Sequence, residues 1–81
     1  MKTIKAKIRD ILDHMDILSI PITDLENDDY LLNYGLRSIN IVLFIKSLEQ
    51  KFGFEFSDDD MILNNFKSIN EIERLVKKYM K

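Results

Sequence analysis

The chain has no cysteine, a single proline, two glycines and one histidine, and neither sign of charge dominates it. Without cysteine, disulfides and thiolate metal sites are excluded, and a thioester on this protein would need its sulfur from a cofactor. Twelve basic against fourteen acidic residues give a net charge of -2, which lacks the basic field that non-specific nucleic-acid binding requires. The expectation is a protein or small-molecule partner and no nucleic acid. No apolar run is long enough to cross a bilayer, and the lysine-bearing amino terminus lacks the apolar stretch of a secretion signal. A cytoplasmic location with no membrane partner is therefore expected, and the chain is taken to be a monomer. With one histidine, His14, lying beside the apolar stripe of its segment, no set of base, nucleophile and orienting acid can be assembled, so an enzyme is the least favoured reading.

What is present is a soluble globular composition, 46% hydrophobic and 32% charged, over 81 residues, which predicts one domain spanning 1–81 with a core near the minimum workable size. Residues 3–18 carry Ile4, Ile8, Ile11, Leu12, Met15 and Leu18 at three-and-four spacing, the pattern of an amphipathic helix. Its charges run basic then acidic, against the helix dipole, so packing must hold it. From Ser19 to Arg37 the chain is a long connection. Thr23 with Glu26 has the form of a capping box for one helical turn, and Tyr30, Leu31, Leu32 and Tyr34 are apolar enough to anchor the loop.

The second helix is expected from Ser38 to Lys51 or Phe52. Ile41, Phe44, Ile45, Leu48 and Phe52 form its core face, with Val42 at the margin. Ile39 and Leu43 fall outside, with Asn40, Lys46, Ser47 and Gln50, as either a small docking patch or scattered surface hydrophobicity. Gly53 is a left-handed cap, and the aromatics of Phe54-Glu55-Phe56 are core filler. Ser57 should cap a short third helix whose aspartates favour its positive end. The triple aspartate lacks the alternating ligands, glycine and terminal glutamate of a calcium loop. Ser68 and Glu71 give a second capping box for a last helix with Ile72, Leu75, Val76 and Tyr79 on one face, closed by Lys77, Lys78 and Lys81. The sum is an all-α four-helix bundle, three longer helices plus one short third helix.

One junction stands out, Tyr34-Gly35-Leu36-Arg37-Ser38-Ile39. Gly35 permits a sharp turn, and Ser38 follows at the start of a helix, exposed at the positive end of its dipole. A phosphate on that hydroxyl would sit among unpaired amides in a favourable field. Taken alone, so short a pattern is more often that of an ordinary helix cap.

From about Leu25 to Met80 the ordered motifs resemble the acyl carrier and peptidyl carrier protein family. Gly35-Leu36-Arg37-Ser38-Ile39 resembles its Gly-x-Asp-Ser-Leu signature, and Leu48-Glu49-Gln50-Lys51-Phe52-Gly53-Phe54-Glu55-Phe56 resembles its Leu-Glu-x-x-Phe-Gly run. Ser57-Asp58-Asp59 and Ser68-Ile69 fall at the family's spacing. The resemblance implies that Ser38 carries a covalent phosphopantetheine arm, donated from coenzyme A by a magnesium-dependent pantetheinyl transferase. It implies a carrier and not a catalyst, holding an acyl or aminoacyl group as a thioester and serving acyl- or aminoacyl-loading and acyl-transfer enzymes. It also implies that the second helix meets partners through Ile39, Leu43 and Lys46. Arg37 departs from the usual Asp or His before the serine, where it could pair with the phosphate, and Asn40 and Leu43 stand where fatty-acid carriers tend to be acidic. A specialised polyketide, nonribosomal peptide or similar pathway is therefore expected over the housekeeping fatty-acid carrier. The alternatives are an unmodified carrier-like interaction module and a helical adaptor whose likeness is accidental.

Overall fold

A computed structural model describes residues 2–80 and contains three α-helices joined by irregular segments and short 3-10 turns. Helix α1 spans Ile4–Met15, α2 spans Ser38–Phe52 and α3 spans Ile69–Tyr79. Helix α1 packs on both others. The amphipathic stripes meet as their periodicity requires, with Ile8 and Leu12 of α1, Phe44 and Leu48 of α2, and Ile69, Ile72 and Val76 of α3 fully buried in one core.

Helix α1 starts where Thr3 Oγ1 accepts the Ala6 N–H at 3.1 Å. It ends at Met15, short of the expected residue 18, because Asp16 takes the left-handed conformation with φ 55°. Short acidic side chains tolerate that region better than most. Ile17 and Leu18 then leave the helix axis and run beside the turn before α2, where the Ser19 N–H donates to the Tyr34 carbonyl at 2.7 Å. The charges that oppose the α1 dipole are used in tertiary contacts. Arg9 donates to the Ile22 carbonyl at 3.1 Å and to Asn27 Oδ1 at 2.7 Å, and Lys5 meets Glu73 of α3 at 3.1 Å.

The long loop is anchored at several points. Its first 3-10 turn is Ile22–Asp24, led by Pro21, and the expected Thr23–Glu26 capping box does not form, since the Glu26 N–H donates to Asp29 Oδ2 at 2.8 Å. A second turn, Leu31–Asn33, seats Leu31 in the core while the Leu31 N–H donates to the Lys67 carbonyl at 2.8 Å. Leu25 and Leu36 are also buried, whereas Tyr30 is not the anchor expected of it and is 47% exposed. The Asn70 N–H donates to the Asn27 carbonyl at 3.1 Å, so the loop is fixed to α3 as well.

The short third helix takes the form of two 3-10 turns, Asp58–Asp60 and Leu63–Phe66, separated by extended backbone at Ile62. Ser57 makes no side-chain cap there, and of the three acids Asp60 serves a tertiary contact instead of a helix dipole. Asp60 Oδ2 accepts the Tyr79 hydroxyl at 2.5 Å, and Lys78 Nζ lies 3.1 Å away. Phe54, Phe56, Phe66 and Tyr79 pack edge-to-face or stacked beneath this contact. At α3 the Ser68 Oγ accepts the Glu71 N–H at 3.2 Å, as the capping box predicts, while Glu71 turns its carboxylate to Arg74. Lys81, expected at the α3 end, lies outside the described residues.

Candidate functional site

The turn into α2 is built around Gly35. Its φ is +131°, and a Cβ there would lie 1.9 Å from the Ile17 carbonyl oxygen. Only glycine has both the conformational freedom and the missing atom that this crossing needs. Leu36 then plunges into the core with no exposure, and Arg37 takes extended backbone as the N-cap of α2. Leu36 below and Gly35 behind fix the direction in which the next residue faces.

Ser38 is consequently the first helical residue, not the cap, and it is exposed. The capping function falls to Asn40. Its Oδ1 accepts the Arg37 N–H at 2.7 Å, and its Nδ2 donates to the Gly35 carbonyl at 3.0 Å. The reciprocal half of a capping box is absent because a guanidinium has no acceptor. Asn40 is the site residue that sequence reading missed. Its signal was an amide side chain three residues after the N-cap, where a capping box places its second member.

The Asn40 and Ile41 amides are satisfied by the Arg37 carbonyl, at 3.0 and 2.8 Å. Among the described residues, the Ser38 and Ile39 amides find no acceptor. Two free donors therefore stand beside the Ser38 hydroxyl at the positive end of a 15-residue helix, with exposed Arg37 next to them. This arrangement accommodates a phosphoryl group on the serine oxygen. It does not supply a base. His14 is exposed and lines an open groove of about 300 Å³ with Asp10, Ser47 and Lys51. Ser47 is roughly 13 Å along α2 from Ser38 at 1.5 Å per residue.

The other expected site residues lie together on α2. Ile39 is 84% and Leu43 60% exposed, and Lys46 follows on the same face. Val42, placed at the core margin by periodicity, is 57% exposed and belongs to this outer strip. Ile41, Ile45 and Phe52 are half-buried against the core. Among the described residues, no group of three His, Cys, Asp or Glu side chains is placed to hold a metal ion, and no helix is long and apolar enough to cross a membrane.

Three comparisons bear on this geometry. The phosphopantetheine attachment site family matches residues 3–76, which takes in α1 as well as the junction and helices beyond it. The chain is similar to one in the crystal structure of an engineered Bradyrhizobium japonicum glycine:[carrier protein] ligase complexed with carrier protein from Agrobacterium tumefaciens and ATP. That match has a TM-score of 0.88 and 32% identity over 94% of this chain and 99% of that one. The corresponding complex with AMP matches with a TM-score of 0.85 and 33% identity, over 90% and 97% of the two chains. Near-complete cover of both chains means that the matching chain is about the size of this one. No curated protein matches the sequence. Members of the matched family carry a covalent phosphopantetheine on a serine, and with nearly the whole chain matched, this protein belongs to the phosphopantetheine attachment site family of carrier domains.

Proposed function

We propose that Ser38 is the attachment point of the phosphopantetheine arm, and that residues 1–81 act as one carrier domain without catalytic activity of its own. The observation that carries this reading is the position of Ser38, exposed as the first residue of α2 immediately after the Gly35 crossing, within the residues that match the family. The residues present fit the group. Ser38 Oγ would bear the phosphodiester, the free Ser38 and Ile39 amides face it, and Arg37 offers a counter-charge. The arm supplies the thiol on which an acyl or aminoacyl group rides as a thioester.

Arg37, Ile39, Leu43 and Lys46 are proposed to meet the pantetheinyl transferase and the enzymes that load and unload the cargo. Likeness to a structure of carrier protein with a glycine:[carrier protein] ligase favours an aminoacyl cargo. The acid-poor α2 supports a specialised pathway of the polyketide or nonribosomal peptide kind over housekeeping fatty-acid synthesis, since its exposed face carries Lys46 and no free carboxylate. The test is the intact mass of the purified protein before and after incubation with coenzyme A, magnesium and a broad-specificity pantetheinyl transferase. A gain of one arm, lost in Ser38→Ala, supports the reading. No gain by a folded protein would favour the unmodified interaction module, with Arg37→Asp as the reversion to try.

A further inference from the structure

Helix α2 presents an outer strip with no acid on it. Ile39, Leu43, Lys46 and Gln50 recur at intervals of four, three and four residues, which stacks them on one face, and Val42 borders them. The helix has one carboxylate, Glu49, at the border of the strip, where it lines an open groove with Lys46, Gln50 and Glu55. Glu49 Oε2 accepts the Phe56 N–H at 2.9 Å and the side chain is half-buried against the following connector. Arg37 stands at the head of the strip and Lys46 within it, nine residues on, about 13 Å along the axis. Both are exposed, and neither forms an ion pair among the described residues. The chain as a whole is acidic at -2, so this face runs against the sign of the molecule.

We propose that α2 docks on a protein surface consisting of an apolar strip bordered by carboxylates. Ile39, Val42 and Leu43 fill its dry centre, and Arg37 and Lys46 meet acids at its rim. This rests on the carrier reading, in which α2 faces partners, and adds the chemistry of the surface that it meets. The apolar centre gives contact area, while the rim charges set register and exclude the wrong partner. A basic docking surface would bring like charges against Arg37 and Lys46, with Glu49 and Glu55 offsetting them only at the Gln50 end of the strip. Three exposed apolar side chains make a small contact, suited to a transient encounter. An anionic membrane shares the charge logic, but a strip this small on an acidic chain offers little to hold it there.

The test is an NMR titration of the purified, 15N-labelled chain with two synthetic helical peptides that share a leucine stripe, one flanked by glutamates and the other by lysines. The glutamate peptide should shift amides within residues 37–50 and bind about tenfold tighter than the lysine peptide at low salt, an advantage that fades by about 0.5 M salt. The double variant Arg37→Glu, Lys46→Glu changes exposed side chains only and should reverse the preference. Equal binding, a preference for the lysine peptide, binding of neither, shifts centred elsewhere, or shifts produced only by phosphatidylserine vesicles would overturn the proposal. The titration needs no arm on Ser38, so its failure is separable from failure of the attachment reading.

Discussion

The Ile17 carbonyl oxygen lies 1.9 Å from where a Cβ on Gly35 would stand, so the segment leaving α1 and the turn entering α2 cross at a point that admits only hydrogen. Gly35→Ala must push Ile17 and Leu18 aside or unwind the turn. We expect a loss of more than about 2 kcal/mol in urea unfolding. Gly53→Ala serves as the comparison, because nothing lies within 4 Å of its Cβ position and only its φ of +78° is strained. That change should cost about 1 kcal/mol.

Asn40 clips the junction from the other side, holding the Arg37 N–H and the Gly35 carbonyl with one amide group. Asn40→Ala should lower stability by about 1–2 kcal/mol and slow modification of Ser38 by a pantetheinyl transferase, as the end of the loop loosens. Asn40→Asp keeps the acceptor and loses the donor, so an intermediate effect on the modification rate is expected.

Leu43 and Phe44 are adjacent in sequence but opposite in role. Leu43 is 60% exposed and Phe44 is fully buried. Leu43→Asp should leave the unfolding free energy within about 0.5 kcal/mol of the original while weakening loading by a cognate enzyme, chiefly through KM. Phe44→Ala should cost about 3–5 kcal/mol. Unimpaired loading of the Leu43 variant would remove it from the docking face.

The Asp60 carboxyl is held below its usual range by the Tyr79 hydroxyl first and by Lys78 second. A carboxyl whose value falls on folding stabilises the native state above its unfolded value, near about 4, and that contribution is lost as pH falls through the folded value. The melting temperature should therefore drop below about pH 4 more steeply for the parent than for Tyr79→Phe, which lacks the first donor. Parallel curves for the two proteins would show that the contact does not link protonation to folding.

The helices were legible because their apolar residues recur at helical spacing and meet one another in the core. Ile8, Leu12, Phe44, Leu48, Ile72 and Val76 are all buried as that spacing demands. The early end of α1 was not legible, since apolar Leu18 continues the stripe and the break comes from a left-handed aspartate, Asp16, that composition does not flag. The segment after Ser57 misled for a different reason. Its serine and aspartates have the form of a helix start, but Asp60 is drawn to Tyr79 and Lys78, partners that lie about twenty residues away and that local pattern cannot supply. At the site, Gly35 and Ser38 were visible as a turn followed by a helix start. Val42 as part of the outer strip required the three-dimensional arrangement, and the signal of Asn40 as the clip became readable only with Arg37 placed as the N-cap.

Peptide mapping of the modified protein locates the arm residue by residue. Trypsin cutting after Arg37 and Lys46 releases residues 38–46 with Ser38 at its head and no other serine. After treatment with coenzyme A and transferase, fragmentation should place one phosphopantetheine on that peptide, with the remaining serines, Ser19, Ser47, Ser57 and Ser68, unmodified. An arm found on any of those four, or a peptide 38–46 that stays bare in a folded protein, would contradict the account.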